Sequence, residues 1–231
     1  MKRTGTYCKT LMVLFISVLF TVALGEGQSS EQKSSATLGS YKTLAISASP
    51  EYSAKYQKPA KGDPVAMAYE FFELNKKYFY MKNPHEELIL ANKVLDETGN
   101  VVAFTQLYNG VPIDTRIKVY FTRDGDVREI TGKYLYDISL STTPSIDSAS
   151  AVRLALQAMG SPPHPKVVGP GKPFIVSSKT FRTIKEDRLY LVWKVEIHPD
   201  STKRLDKFER YYVDASTGAI LYHEWSSILR H

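Results

Sequence analysis

Twice along this chain an aspartate opens an amphipathic helical run, and each run is followed by short β-prone segments cut apart by turn residues. That repeated order argues against an all-helical or all-β structure and predicts an α+β chain in which each helix covers one face of an antiparallel sheet. In the first repeat Asp63 is a suitable cap and Pro64 suits the first helical position. Met67, Phe71, Leu74 and Tyr78 then recur at spacings of four, three and four, with Ala68 and Phe72 widening the face, which predicts a helix to about Phe79. Asn83-Pro84 opens a further helical turn. Residues 88–95, 101–108, 113–122 and 127–135 read as strands, divided by turn residues that include Asn109-Gly110 and Asp124-Gly125.

In the second repeat Asp147 caps a helix with Val152, Ala155, Leu156 and Met159 on one face, and Gly160 ends it. A Pro/Gly-rich loop precedes strands expected near 174–177, 189–197, 208–213 and 219–225. Two units follow, 62–138 and 145–226, each with its own small core, with 139–144 as a linker and 227–231 as a tail.

What precedes Asp63 divides in two. Lys2, Arg3 and Lys9 stand before an apolar run over residues 11–24 that is interrupted only by Ser17 and Thr21. That is the layout of an export signal, residues 1–25, and predicts a secreted or cell-envelope protein. A bilayer-spanning helix needs roughly 20 apolar residues, so membrane association is expected only if this segment stays uncut. Residues 26–61 are polar and Ser-rich and read as a flexible leader.

The 231-residue chain has 30 basic and 24 acidic residues, a formal charge of +6. Three of the basic residues lie in the signal, so 27 against 24 remain after it, a charge of +3. Such a balance excludes a nucleic-acid-binding surface as the main expectation. The one cysteine, Cys8, also lies in the signal, which leaves disulfides and thiol catalysis out of the expected mature chain.

No catalytic or metal-binding set is complete. The five histidines, at 85, 164, 198, 223 and 231, include no close pair suited to zinc on one helix. Two segments start like the H-E-x-x-H zinc motif, but Ile89 follows His85-Glu86 and Ser227 follows His223-Glu224 where the second ligand belongs. Asp124-Gly125-Asp126 lacks the rest of a calcium loop. Gly169-Pro170-Gly171-Lys172 loses a backbone donor to its proline, so a phosphate loop is not expected. The expectation is no catalytic residues, no metal and no small-molecule cofactor. The 15 tyrosines, with clusters at 78/80, 134/136 and 211/212, suit sheet packing and also a protein interface.

Phe104-Thr105-Gln106-Leu107-Tyr108-Asn109-Gly110-Val111-Pro112-Ile113 resembles the fungalysin/thermolysin propeptide (FTP) domain, and the upstream stretch from Asp63, with Asn83 in place of the usual aspartate, resembles its lead-in. Residues 212–220, with Asp214, Thr217 and Gly218 as the Asp-x-x-Thr-Gly hairpin, together with 191–197 resemble a PepSY domain. The resemblance spans about 63–225 and implies two cystatin-like units. Thr115-Arg116 departs from the small pair that many family members carry. The family implies that Phe104, Gln106, Tyr108, Gly110, Val111 and Pro112 serve the fold. It further implies a partner in trans, a thermolysin-like metalloprotease that this chain inhibits or helps to fold. Ile228 and Leu229 suit the hydrophobic specificity pocket of such an enzyme, and a carboxylate at His231 suits its zinc. The same features are compatible with a propeptide fragment of a longer zymogen, or with an envelope adhesion or scaffolding module.

Overall fold

The computed structural model describes residues 39–49, 53–96, 99–181, 184, 186–199 and 207–227. The expected signal and Cys8 lie outside them. Among the described residues no helix is long and apolar enough to cross a membrane.

Helix α1 spans Pro64–Phe79, with the Asp63 carboxylate accepting from the N–H groups of Val65 and Ala66. These are donors that a helix start otherwise leaves unpaired. Its buried face is Met67, Ala68, Phe71, Phe72, Asn75 and Phe79, whereas Leu74 is 36% exposed. Of the stripe expected through Leu74 and Tyr78, Tyr78 packs against the core while Leu74 does not, and Asn75 takes the buried position beside it. Its side chain accepts from the N–H of Gln57 and donates to the carbonyls of Gln57 and Phe71, each at 2.8 Å. A polar residue holds a core position here because it pairs backbone that burial would leave unsatisfied.

The expected flexible leader, residues 26–61, is corrected on two counts. Gln57 is held by Asn75, with the Tyr56 ring stacked on Phe79 at 5.8 Å. Further upstream, Ser40–Ala48 forms strand β1, paired antiparallel with a later strand. Only Ile46 is buried in β1, with Leu44 packed beside it, so the segment carries little apolar signal of its own. Its order comes from pairing with residues some ninety positions away, which local pattern does not reveal.

After the short helix α2 (Pro84–Glu87) come β2 (Leu88–Asp96), β3 (Gly99–Tyr108), β4 (Val111–Pro112), β5 (Ile117–Phe121) and β6 (Val127–Ser139). They form an antiparallel sheet in the order β1-β6-β5-β3-β2, with β4 paired to β3. Helix α1 lies on one face, where Phe71, Phe72, Val102, Phe104, Ile117, Val119, Phe121 and Ile130 make the first core. The strand expected over 113–122 starts only at Ile117, because Asp114, Thr115 and Arg116 leave the sheet between β4 and β5. The Thr115 hydroxyl is buried there without a hydrogen-bond partner.

The second half holds α3 (Ser148–Ala158), capped by Asp147, which accepts from the Ser150 N–H at 2.7 Å. Strands β7 (Lys166–Val168), β8 (Phe174–Ser177), β9 (Leu189–His198), β10 (Lys207–Asp214) and β11 (Ile220–Ser227) make a second antiparallel sheet in the order β11-β10-β9-β7, with β8 also paired to β9. Helix α3 covers Leu191, Trp193, Val195, Ile197, Tyr211 and Val213, while Phe181 packs with Val176, Tyr190 and Val192 on the opposite face. The molecule is thus α+β, with one helix packed on each of two sheets.

The two halves do not keep separate cores. Ile113 and Leu135 of the first half are buried in the second core, with Tyr41, Tyr108, Val111, Ile138 and Leu140 packed around them. Gly39 bridges to Leu189 and Ile113 to Ile175. All described residues accordingly fall in one compact unit, and the expected linker at 139–144 runs along shared core through Leu140.

Candidate functional site

Beyond Phe104, β3 pairs with β4 rather than β5, and β5 reaches β6 only from Ile117 at Gly132, so among the described residues Leu135 of β6 has no ladder partner on that side. Side chains of β3 fill that role. Gln106, 2% exposed, donates Nε2 to the carbonyl of Leu135 at 2.6 Å and accepts from the Leu135 N–H at 2.8 Å. Tyr108 donates its hydroxyl to the carbonyl of Ile138 at 2.9 Å. The amide of Gln106 turns an N–H donor and its carbonyl acceptor, which lie in one plane as in a peptide, to Leu135, and so pairs it as a strand residue would. Phe104 packs its ring on Phe72 and Tyr69 at 6.1 and 4.8 Å.

The lead-in segment reaches the same place. Glu87 accepts from the N–H groups of Lys82 and Asn83 at 2.9 and 3.0 Å through one oxygen, and from the Tyr134 hydroxyl through the other. Burial and the adjacent Glu87 carboxylate raise the Tyr134 pKa far above the usual phenol value, so this hydroxyl stays a donor. Between α2, the β3–β4 turn and β6 lies a cleft of about 750 Å³, lined by Glu87, Gln106, Tyr108, Gly110, Tyr134 and Tyr136 among others. At its mouth Tyr80 stacks on Tyr136 with centroids 4.4 Å apart and planes 7° apart, and Tyr80 is 56% exposed. His85 and Glu86 are exposed beside it.

Asn109 and Gly110 adopt φ values of 49° and 76° between β3 and β4. Both lie in the left-handed region that a two-residue hairpin turn of this hand requires. A Cβ on Gly110 would meet no neighbour within 4 Å, so its cost is conformational only. Gly110→Ala is expected to lower unfolding free energy by about 1 kcal/mol, read from the urea midpoint; an unchanged midpoint would refute the structural role of this glycine. Val111 and Pro112 are the β4 residues that return along β3, opposite Tyr108 and Leu107.

The hairpin residues of the second half are structural too. One oxygen of Asp214 accepts from the backbone N–H and hydroxyl of Ser216, both at 2.7 Å, and from the Thr217 N–H at 3.3 Å. The Gly218 N–H returns to the Asp214 carbonyl at 2.8 Å, and the Thr217 hydroxyl accepts from the Ala219 N–H at 3.3 Å. The turn is anchored to the start of α3, because the Ala215 carbonyl accepts from the N–H groups of Ser145 and Ile146 and the Trp193 indole donates to Ile146.

Both H-E segments are engaged in packing. His85 stacks on Tyr69 at 4.6 Å, His223 stacks on Tyr211 at 5.6 Å, and Glu224 pairs with Arg210 at 2.6 Å. Among the described residues no group of three or more His, Cys, Asp or Glu side chains is placed to hold a metal ion. The structure therefore brings Phe104, Gln106, Tyr108 and Gly110 together with Glu87 and Tyr134, whose pairing the sequence did not suggest. It sets Asp214, Thr217 and Gly218 in a separate turn. Ile228, Leu229 and His231 lie outside the described residues.

No protein-family profile matches the chain, and no curated protein matches it. A solved structure, the C-terminal domain of Bacillus megaterium YpeB, aligns at 15% sequence identity with a TM-score of 0.34, covering 81% of this chain and 78% of that one.

Proposed function

We propose that this chain is an exported, non-catalytic, propeptide-like protein that acts in trans on a thermolysin-like zinc metalloprotease, restraining it, assisting its folding, or both. The supporting observation is the convergence of the two segments that carry the propeptide resemblance. Glu87 of the lead-in and Gln106 and Tyr108 of the motif all clasp β6 around one cleft. Their polar atoms are engaged internally, so they hold the cleft's shape, while Tyr80, Tyr136, His85 and Glu86 at its rim can meet a partner. Exposed aromatics among mixed charge are what protein interfaces are made of. Fold alone does not assign activity, and the reading is tested on the partner itself.

The test is capture from the secreted proteins of the source organism by the immobilised protein. Co-purification of a metalloprotease is the expected result. A capture in which no metalloprotease is enriched over a blank resin contradicts the proposal. Shortening the chain to end at Ser227 then separates two modes: inhibition that vanishes assigns the restraint to Ile228, Leu229 and the residues after them, and inhibition that persists assigns it to the folded surface.

A further inference from the structure

Strand β2 is an outer strand of the first sheet and, among the described residues, pairs on one side only, with β3. It exposes Ile89 (50%), Leu90 (40%), Val94 (48%) and Leu95 (50%), four of the nine large apolar residues exposed among the described residues. Natural edge strands are ordinarily short, charged or covered, because their free N–H and C=O groups accept another strand. This one is nine residues long, and its protective features are Lys93 and a bulge between Leu90 and Asn92.

The register with β3 fixes which face each residue occupies. Leu88, Leu90, Lys93 and Leu95 lie opposite Gln106, Phe104, Val102 and Asn100, on the side that α1 covers. Ile89, Asn92 and Val94 lie opposite Thr105, Ala103 and Val101, on the other side. The bulge shifts the alternation at Ala91, and this shift makes the strand complementary to itself. In an antiparallel pairing of two β2 strands about a two-fold axis between Ala91 and Asn92, Leu88 faces Leu95, Ile89 faces Val94 and Leu90 faces Lys93. Every one of these pairs joins residues on the same side of the sheet. Moving the register by one residue sets Ile89 against Leu95 on opposite sides, and moving it by two sets Leu88 against Lys93 and Ile89 against Asn92.

We propose that the outer edge of β2 is a homodimerisation surface, on which a second copy of this chain adds its own β2 antiparallel, continuing the sheet across a two-fold axis. Such an interface is isologous, so one patch serves both partners. It offers backbone pairing over eight residues and apolar cross-strand contacts on both sides. A single strand pair covers less area than a standard stable interface, so the dimer is a concentration-dependent one.

The test uses sedimentation velocity on the full chain as its expressing host delivers it, over a dilution series. The expected result is a monomer–dimer equilibrium that Val94→Lys with Leu95→Lys shifts wholly to monomer, with the circular dichroism spectrum unchanged and the unfolding midpoint unchanged at a dilution where the parent is also monomeric. Ile220→Lys, at an exposed apolar site on β11, should leave the dimer intact. Register is read separately in a Cys8→Ser background: chains with Ile89→Cys mixed with chains with Val94→Cys should form a disulfide-linked pair faster than Val94→Cys chains alone. A monomer at every soluble concentration overturns the proposal. So does a dimer untouched by the lysine substitutions, or cross-linking no faster in the mixture.

Discussion

Replacing Gly132 with alanine is expected to cost this protein about 4 kcal/mol, combining left-handed backbone strain with overpacking of roughly equal size. Gly132 sits in β6 between Ile46 of β1 and Ile117 of β5, at φ 137°. A Cβ there would lie 2.1 Å from the carbonyl oxygen of Arg116 and 2.9 Å from the Cα of Ile117. Both are backbone atoms, so no side chain can turn aside to make room. Domains of this size are stable by about 5–15 kcal/mol, and the substitution removes a large part of that. Urea unfolding of Gly132→Ala beside Gly110→Ala is the measurement. The expected order is a large loss at 132 and a small one at 110, and equal losses would contradict the close approach at Arg116.

The second large effect is expected at Gln106. Leucine there keeps the volume and the burial but leaves the N–H and C=O of Leu135 without partners, at about 1–3 kcal/mol for each unsatisfied group. Gln106→Leu should therefore lower stability by about 2–6 kcal/mol, and the Leu135 amide should lose protection against hydrogen exchange. Glutamate should fare no better, since a carboxylate can accept from the Leu135 N–H but cannot donate to its carbonyl. A Gln106→Leu protein of unchanged stability would mean that the amide does not stand in for a strand.

What could be read from residues alone follows the range of the forces involved. The extent of helix α1 was legible, because Asp63, Pro64 and the apolar period act within a few positions of one another. Helix α3 and strand β8 were legible for the same reason. Strand β1 was not, since what orders it is distant in sequence: pairing with β6 and the packing of Tyr41, Leu44 and Ile46. Asn75 reads as a break in the apolar stripe until its bonds to Gln57 are seen. The expectation of two separate cores failed at Ile113 and Leu135, which local pattern assigns to the first sheet and packing assigns to the second core. In the candidate site, Phe104, Gln106, Tyr108 and Gly110 were singled out by resemblance. Their work depends on Leu135 and Ile138, 29 and 30 residues away, and no local signal marks such partners. The Glu87–Tyr134 bond, across 47 residues, was beyond reach for the same reason.

The central claim concerns a partner, and it is tested most directly by adding the protein in rising amounts to a thermolysin-like metalloprotease from the same source. Cleavage of a peptide substrate is followed, together with recovery of activity when the same enzyme is refolded from denaturant. The account predicts that cleavage falls as the protein is added, or that refolded activity rises, or both. If both rates stay unchanged at a large molar excess of the protein, it has no hold on such an enzyme and the account is contradicted.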